Sequence, residues 1–231
     1  MRIYFGGTFD PVHIGHLQLA QELSELFHQD KVYLLPCYQA VHKEEVSASA
    51  AQRLAMLQLA IKDYPNVCID TREVLSAAPS YTFNTLNAIR EEVPDEAIAF
   101  VIGTDSLITF PDWFRSEKMA SLTNLIVIER PEGSYRAGLN NSSETLSDSS
   151  ACNKEKYREY LDRVLDLGFK LVKQPELLEI NRSGLLISLK LSLLAISSTE
   201  IRSLVRENKA VNHLVSDAVA AYIKEYKLYQ N

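Results

Sequence analysis

Short apolar runs alternate along the chain with longer stretches in which apolar residues recur at helical spacing. The apolar runs have the length of strands and lie at residues 3–5, 32–35, 67–69, 97–102 and 125–128. The helical spacing occurs at residues 16–27, 51–61, 82–92 and 157–165, and two further helices are predicted near the end of the chain. Strands separated by such helices indicate crossover connections and a parallel sheet. The pattern predicts an α/β fold, a doubly wound parallel sheet with C-terminal helices, as a single domain over residues 1–231.

The stretch over residues 133–153 breaks this alternation. It contains six serines and three asparagines and almost no large apolar residue. A segment of this composition buries too little apolar surface to join a core. We therefore expect a mobile, serine-rich surface insertion here, and a functional lid is the less favoured alternative.

Charge and cysteine content narrow the classes of function. The 24 Lys and Arg residues are outnumbered by 30 Asp and Glu residues, which argues against a general binder of nucleic acid or of acidic membranes. No apolar run approaches the roughly 20 residues of a membrane helix, and the N-terminus lacks a signal-peptide core. The three cysteines Cys37, Cys68 and Cys152 suit a reducing interior. We expect a cytoplasmic protein that binds neither nucleic acid nor membrane, and a homo-oligomer is compatible with the sequence.

The turn after the first strand carries the strongest chemical pattern. Gly6 and Gly7 allow the backbone to turn tightly and to approach a ligand. The helix that follows offers unpaired N–H groups and a positive dipole end to an anion, and His13 and His16 would face the same ligand. A zinc site lacks a third ligand at suitable spacing, and the Gly-x-Gly-x-x-Gly pattern of hydride-transfer folds is not met. The turn therefore favours an anion such as phosphate, with no protein metal site.

A second pattern lies near the end of the chain, at residues 196–202. Ser197 followed by Glu200 is a capping box and predicts a helix start. Capping leaves Ser198, Thr199 and Arg202 unexplained, and two hydroxyls beside a guanidinium suit a polyphosphate. Taken alone, this pattern favours the capping role.

Together with the residues between them, these patterns resemble the nucleotidylyltransferase superfamily and, within it, the bacterial nicotinate-nucleotide adenylyltransferases. The matching stretches are Gly-Gly-Thr-Phe-Asp-Pro-Val-His-Ile-Gly-His at 6–16, His42-Lys43, Ser80-Tyr81-Thr82, Gly103-Thr104-Asp105-Ser106-Leu107, Phe110-Pro111-Asp112-Trp113-Phe114 and Ile-Ser-Ser-Thr-Glu-Ile-Arg at 196–202. They are in order and cover nearly the whole chain. The chain departs from the family at residues 39–41, where Gln-Ala-Val replaces two frequent prolines and indicates a less rigid loop.

The resemblance implies a Rossmann-like nucleotidylyltransferase fold and adenylyl transfer from ATP to nicotinate mononucleotide, which gives deamido-NAD and pyrophosphate. The catalytic residues it implies are His13, His16, Lys43 and Arg202. Its implied ATP contacts are Gly6, Gly7, Thr8, Phe9, Gly103, Asp105, Ile196, Ser197, Ser198 and Thr199. Its implied contacts to the nicotinate nucleotide are His42, Tyr81, Thr82, Trp113 and Phe114. Mg²⁺ is expected on the phosphates of ATP, because it usually keeps several waters and binds through phosphates.

Three other functions stay open at this point. Phosphopantetheine adenylyltransferases share both terminal patterns, although Ser80-Tyr81-Thr82, Trp113 and the chain length count against them. Class I aminoacyl-tRNA synthetases share His-x-Gly-His, but this chain is short and acidic and lacks their lysine-rich second motif. A nucleotide-binding regulator without catalysis is less supported, because the four implied catalytic residues are all present.

Overall fold

The computed structural model describes residues 1–29, 31–40, 47–129, 150–191, 194 and 196–230, and all structural statements below refer to them. Within these residues the chain forms nine strands and nine α-helices. The strands are β1 (Arg2–Gly7), β2 (Val32–Pro36), β3 (Gln39–Ala40), β4 (Val67–Ile69), β5 (Pro79–Ser80), β6 (Ile98–Gly103), β7 (Asn124–Glu129), β8 (Lys170–Leu171) and β9 (Leu185–Lys190). The helices are α1 (Ile14–Leu26), α2 (Ala50–Ala60), α3 (Arg72–Ser76), α4 (Thr82–Glu92), α5 (Thr104–Thr109), α6 (Ser150–Leu165), α7 (Glu176–Ile180), α8 (Ser198–Arg206) and α9 (Asp217–Glu225).

Seven strands form one sheet in the order β4-β2-β1-β6-β7-β9-β8, and each of these pairings is parallel. The chain runs outward from β1 through β2 to β4 and then crosses to β6 on the other side of β1. The strand order therefore reverses between β1 and β6. In open sheets of this kind, ligands bind in the crevice at the carboxyl ends of the strands at this switch point. The predicted doubly wound parallel sheet is confirmed, and it places the turns after β1 and β6 side by side.

Both faces of the sheet are covered by helices. Successive side chains of a strand point to opposite faces, so Ile3 packs in a core layer with α1, α2 and α9. Tyr4, the next residue, packs in the other layer with α4 and α6. Because both faces of the sheet are buried, its strands have continuous apolar sequences and do not alternate between apolar and polar residues.

The predicted strands and the first three predicted helices agree with the structure within two residues, whereas the short elements β3, β5, β8, α3, α5 and α7 were not predicted. Helix α6 begins at Ser150, inside the stretch predicted as an insertion, whereas residues 133–149 lie outside the described residues. Strand β9 was not predicted, although it pairs along its length with β7. Its sequence, Leu-Leu-Ile-Ser-Leu-Lys, mixes adjacent and alternating apolar residues, and periodicity alone does not separate such a short run from a helix. The single domain over residues 1–231 stays a prediction.

No helix in the described part of the chain is both long enough and apolar enough to cross a membrane.

Candidate active site

The turn between β1 and α1 pairs the two histidines. His13 is the N-cap of α1 in an extended conformation, and His16 is the third residue of the helix. Their rings stack with centroids 3.6 Å apart, and the His13 backbone N–H donates to His16 Nδ1 at 3.3 Å. Because Nδ1 accepts this bond, Nε2 of His16 carries the proton and can donate it to a ligand. The pair therefore presents a hydrogen-bond donor at the positive end of α1.

Small residues and a buried ring support the histidine pair. A Cβ on Gly6 would come within 2.8 Å of the Phe100 ring on β6, so only glycine lets β1 and that ring pack this closely. A Cβ on Gly7 would likewise come within 3.0 Å of the Phe9 ring, and the Gly7 carbonyl accepts from the Cys37 N–H at 3.1 Å.

Phe9 lies in the left-handed region at φ 50°, and its ring, 2% exposed, meets the His16 ring edge-on with centroids 5.0 Å apart. The buried Phe9 side chain therefore packs against His16, which leaves only the Phe9 backbone able to approach a ligand.

Asp10, in the middle of this turn, holds it to two distant segments. Its carboxylate is 4% exposed and accepts from the backbone N–H groups of Ser47 at 2.8 Å and Ala48 at 3.2 Å. The Tyr229 hydroxyl donates to Asp10 Oδ1 at 2.7 Å. Burial and the neighbouring Asp10 raise the pKa of Tyr229 well above its ordinary value, so this hydroxyl stays a donor. With three donors on its two oxygens, the Asp10 carboxylate positions the turn and is poorly suited to bind a cation.

Arg53 of α2 is fully buried, at 0% exposure. Its guanidinium holds the turn after β1 by hydrogen bonds to backbone carbonyls. Its Nη1 donates to the Thr8 carbonyl at 2.7 Å, and its Nη2 donates to the carbonyls of Cys37 at 2.7 Å and Tyr38 at 2.8 Å. These carbonyls follow β1 and β2, so one guanidinium joins the ends of two neighbouring strands. Sequence analysis missed both Arg53 and Asp10 as positioning groups.

The second sequence pattern folds onto the first. Ser197 caps α8 and accepts from the Glu200 N–H at 3.1 Å, as the capping box predicts. The Ser198 hydroxyl donates to the Pro11 carbonyl at 2.9 Å. Arg202 donates from Nη1 to the Asp10 carbonyl at 2.7 Å and from Nη2 to Thr199 Oγ1 at 3.2 Å. The structure thus brings Arg202 to the histidine turn.

These contacts give the hydroxyls of Ser198 and Thr199 structural roles, whereas the resemblance implied that both contact ATP. Ser198 docks α8 on the turn, and Thr199 orients the guanidinium of Arg202. The bonds of Arg202 to the Asp10 carbonyl and to Thr199 use two of its five N–H donors. The groups of this helix start that remain suited to bind an anion are therefore the guanidinium of Arg202 and the backbone N–H groups at the positive end of α8. Ile196, half-buried just before the cap, donates its backbone N–H to the Leu194 carbonyl at 2.8 Å.

The end of β6 completes the switch point. Gly103 is the N-cap of α5 and pairs with Ile128 of β7, whose carbonyl also accepts from the Thr104 hydroxyl at 3.1 Å. Asp105 lies exposed in the first turn of α5. Since β6 is the neighbour of β1 in the sheet, Asp105 and the histidine turn lie at the same edge.

An aromatic cluster forms at the start of α4. Tyr81 is the N-cap of that helix and Thr82 its first residue. The Phe114 ring lies 5.1 Å from the Tyr81 ring and 6.0 Å from the Phe83 ring, between centroids. The guanidinium of Arg115 lies 5.1 Å from the centroid of Phe114, a cation–π distance that adds a positive charge not foreseen from the sequence.

Trp113 precedes this cluster and is half-buried. Its ring tilts against Phe110 with centroids 5.1 Å apart, and its Nε1 donates to Thr109 Oγ1 at 3.3 Å. The structure therefore brings the rings of Tyr81 and Phe114 together. Trp113 is instead held by Phe110 and by Thr109, the last residue of α5. His42 and Lys43 lie outside the described residues.

Replacing Arg53 with methionine tests its role in holding the turn. We expect a loss of about 2–4 kcal/mol in the free energy of unfolding, because three partly buried carbonyls lose a charged donor. Gln58→Met, at an exposed position of the same helix, should change stability by less than about 0.5 kcal/mol. Denaturant unfolding of the two variants measures the difference, and equal stabilities would show that Arg53 does not hold the turn.

A buried acid next to α4 makes stability depend on pH. Glu73 is 8% exposed and accepts from Thr85 Oγ1 at 2.6 Å. Burial, aided by the charge of Asp70, raises its pKa above the ordinary value, although Thr85, Ser80 and Arg72 act in the opposite direction.

Since the pKa of Glu73 is higher in the folded state than in the unfolded chain, its contribution to stability is complete below about pH 4 and falls as the pH rises through the raised pKa. Glu73→Gln has no proton to lose. We expect the free energy of unfolding of the native protein, relative to Glu73→Gln, to fall over the pH range above about pH 4 in which the raised pKa is crossed. Urea unfolding across this range measures it, and a constant difference between the two proteins would contradict the raised pKa.

Comparison with known proteins agrees with this architecture. The family model described as cytidylyltransferase-like matches residues 4–204. A protein of Marinomonas sp. (strain MWYL1) is 34% identical over 227 residues, which cover 97% of this chain and 92% of the relative. A protein of Legionella pneumophila (strain Corby) is 36% identical over 226 residues, which cover 98% of this chain and 97% of the relative. Both relatives bear the name "Probable nicotinate-nucleotide adenylyltransferase".

Solved structures show the same fold. The nicotinic acid mononucleotide adenylyltransferase of Plasmodium falciparum complexed with NaAD superposes with a TM-score of 0.68 and 17% identity, covering 99% of this chain and 96% of that one. A second structure of that enzyme, complexed with APC, superposes with a TM-score of 0.66 and 16% identity, covering 99% of this chain and 96% of that one. At this identity the likeness concerns the fold alone.

Proposed function

The chain belongs to the cytidylyltransferase-like family, and on that premise we propose that it transfers the adenylyl group of ATP to nicotinate mononucleotide. The products are deamido-NAD and pyrophosphate. Relatives 34–36% identical over nearly the whole chain are named for this activity. The observation that carries the proposal is the stacked His13–His16 pair at the positive end of α1, joined through Asp10 to Arg202.

The reaction needs no nucleophile from the protein. A phosphate oxygen of the mononucleotide attacks the α-phosphorus of ATP, a new P–O bond forms, and the bond from the α-phosphorus to the bridging oxygen breaks. Pyrophosphate leaves with that electron pair. Because both reactants are polyanions, the protein contributes by orienting them and by neutralising the charge that develops in the transition state.

Each positive group has a place in this scheme. Nε2 of His16 donates to an oxygen of the transferring phosphate, and His13 fixes the ring that does so. Arg202 neutralises the departing pyrophosphate together with the first turn of α8. We assign Lys43 the same task and His42 a contact to the acceptor, on the strength of the sequence pattern. The backbone of residues 6–9, in the turn between β1 and α1, approaches the phosphates of ATP. Beside Gly103, the Asp105 carboxylate accepts a hydrogen bond from a ribose hydroxyl.

Magnesium enters this scheme as part of the ATP substrate. In the part of the chain that the structure describes, no three or more His, Cys, Asp or Glu side chains are grouped so as to hold a metal ion. The groups at the turn are nitrogen donors, which suit phosphate oxygens, and Asp10 already accepts three hydrogen bonds. Orientation of the substrates and neutralisation of their charge are therefore assigned to the residues of the chain.

The acceptor occupies the aromatic end of the site in this proposal. The carboxylate of nicotinate accepts from backbone N–H groups at Thr82, where α4 begins, and beside Phe114. Trp113 stacks on the pyridine ring, and Tyr81 borders it. Three scattered cysteines suit a reducing compartment, and a cytoplasmic location is therefore part of this proposal. The oligomeric state and the absence of nucleic-acid binding stay predictions.

An acceptor panel tests the proposed function. Pyrophosphate release from ATP is measured with nicotinate mononucleotide, nicotinamide mononucleotide, phosphopantetheine, or no acceptor. We expect release to be fastest with nicotinate mononucleotide and negligible without an acceptor. Fastest release with phosphopantetheine would assign the chain to the alternative adenylyltransferase, and no release with any acceptor would favour a non-catalytic regulator.

A further inference from the structure

A buried carboxyl group bridges the two sides of the turn that leads into α4. Glu73, on the short helix α3, accepts from the Thr85 hydroxyl at 2.6 Å and also hydrogen-bonds the side chain of Ser80. The Ser80 oxygen in turn accepts from the Tyr38 N–H at 2.9 Å, so the bridge reaches the loop after β2. None of these groups takes part in the adenylyl transfer described above.

The positions of Ser80 and Thr85 give this bridge a function. With Tyr81 as the N-cap of α4, Ser80 directly precedes the cap and Thr85 is the fourth residue of the helix. Side chains at these two positions face each other, and a contact between them fixes the angle at which the chain enters a helix. Such contacts are commonly apolar, whereas here two hydroxyls meet through the Glu73 carboxyl group.

The arginine next to Glu73 in the chain forms ion pairs with two other carboxylates. The neighbouring Arg72 binds Asp70 at 2.9 Å and Glu92 at 2.9 Å. Burial favours the neutral form of the Glu73 carboxyl and raises its pKa. The N–H groups at the start of α4 lie at the positive end of the helix dipole, which favours an anionic ligand there.

We propose that Glu73 is a positioning residue for acceptor selectivity: through Ser80 and Thr85 it sets the start of α4 so that the N–H groups there meet the carboxylate of the acceptor. This inference rests on the proposed function, which supplies an acceptor that carries a carboxylate. Glu73 itself does not touch the substrate. Its contribution is geometric and should be seen in the discrimination between an acid and its amide.

Thr85→Val removes the bridging hydroxyl at nearly constant volume, and Thr85→Ser retains it. For each variant, kcat and KM are measured with nicotinate and nicotinamide mononucleotide and with ATP. We expect Thr85→Val to lower the acid-to-amide efficiency ratio by about tenfold, the equivalent of one hydrogen bond. The change should be in the KM for the acid acceptor, with the KM for ATP unchanged. Thr85→Ser should restore the ratio to within about twofold of the native protein.

Ser80→Ala removes the opposite hydroxyl and is expected to lower the same ratio, so the test does not depend on one variant folding. A ratio that is unchanged in folded Thr85→Val or Ser80→Ala overturns the proposal. Equal losses with both acceptors, together with a raised KM for ATP, overturn it as well, because they indicate a general structural role. If the native protein transfers adenylyl to neither acceptor, the proposed function itself fails, and this result is distinct from an active enzyme whose ratio does not respond.

Discussion

The native protein is expected to prefer nicotinate mononucleotide over nicotinamide mononucleotide by about two to four orders of magnitude in kcat/KM. The two acceptors differ by one carboxylate. The N–H groups at the start of α4 and beside Phe114 would bind that carboxylate, and hydrogen bonds to a charged group contribute roughly 1.5–3 kcal/mol each. The neutral amide of nicotinamide mononucleotide offers these N–H groups no negative charge and only one acceptor oxygen. The efficiency ratio of the two acceptors at saturating ATP measures the preference.

Trp113 links this preference to stacking. Trp113→Ala should weaken both acceptors, because base stacking on an aromatic side chain is worth about 1–3 kcal/mol. It should also lower the preference for the acid. Without the Trp113 ring packed against Phe110, the neighbouring Phe114 backbone is held less firmly beside the carboxylate. Trp113→Phe retains an aromatic face and is the matched control. A native ratio near one would refute acid selectivity and leave adenylyl transfer itself unaffected.

His16→Ala should lower turnover by about 10²–10³ while the protein remains folded. The His16 ring stacks on His13 at the start of α1, with its Nε2 as a donor. Because charge on the transferring phosphate grows in the transition state, kcat should fall more than KM changes. His28→Ala is the matched control, since His28 is exposed beyond the opposite end of the same helix.

Folding of His16→Ala is checked by circular dichroism and thermal unfolding, because His16 also packs on the Phe9 ring. A folded His16→Ala protein with near-native turnover would remove His16 from the reacting phosphates. The site would then have to depend on Arg202 and the turn after β1 alone.

The sequence indicates local features of this site well. Period and length locate β1 and α1, and the glycines and histidines between them mark the turn that the structure places at the switch point. The capping box at Ser197 was predicted correctly as a helix start. These features depend on residues close together in the chain, where spacing alone specifies geometry.

The supports of the site depend on distant contacts and were not predicted. Tyr229 reaches Asp10 across the fold, and no local pattern encodes such a bond. Arg53 did leave a signal, because it lies on the same helix face as the buried Met56, Leu57 and Ala60. This signal was not used, because an arginine is rarely expected inside a core.

The bond that is broken in ATP provides the most direct test of adenylyl transfer at this site. The protein is incubated with nicotinate mononucleotide and ATP labelled either at the α-phosphate or at the γ-phosphate, and the products are separated. The account predicts that the α-label appears in deamido-NAD and the γ-label only in pyrophosphate. Label from the γ-phosphate in the acceptor, or no label from the α-phosphate in a dinucleotide, would contradict it.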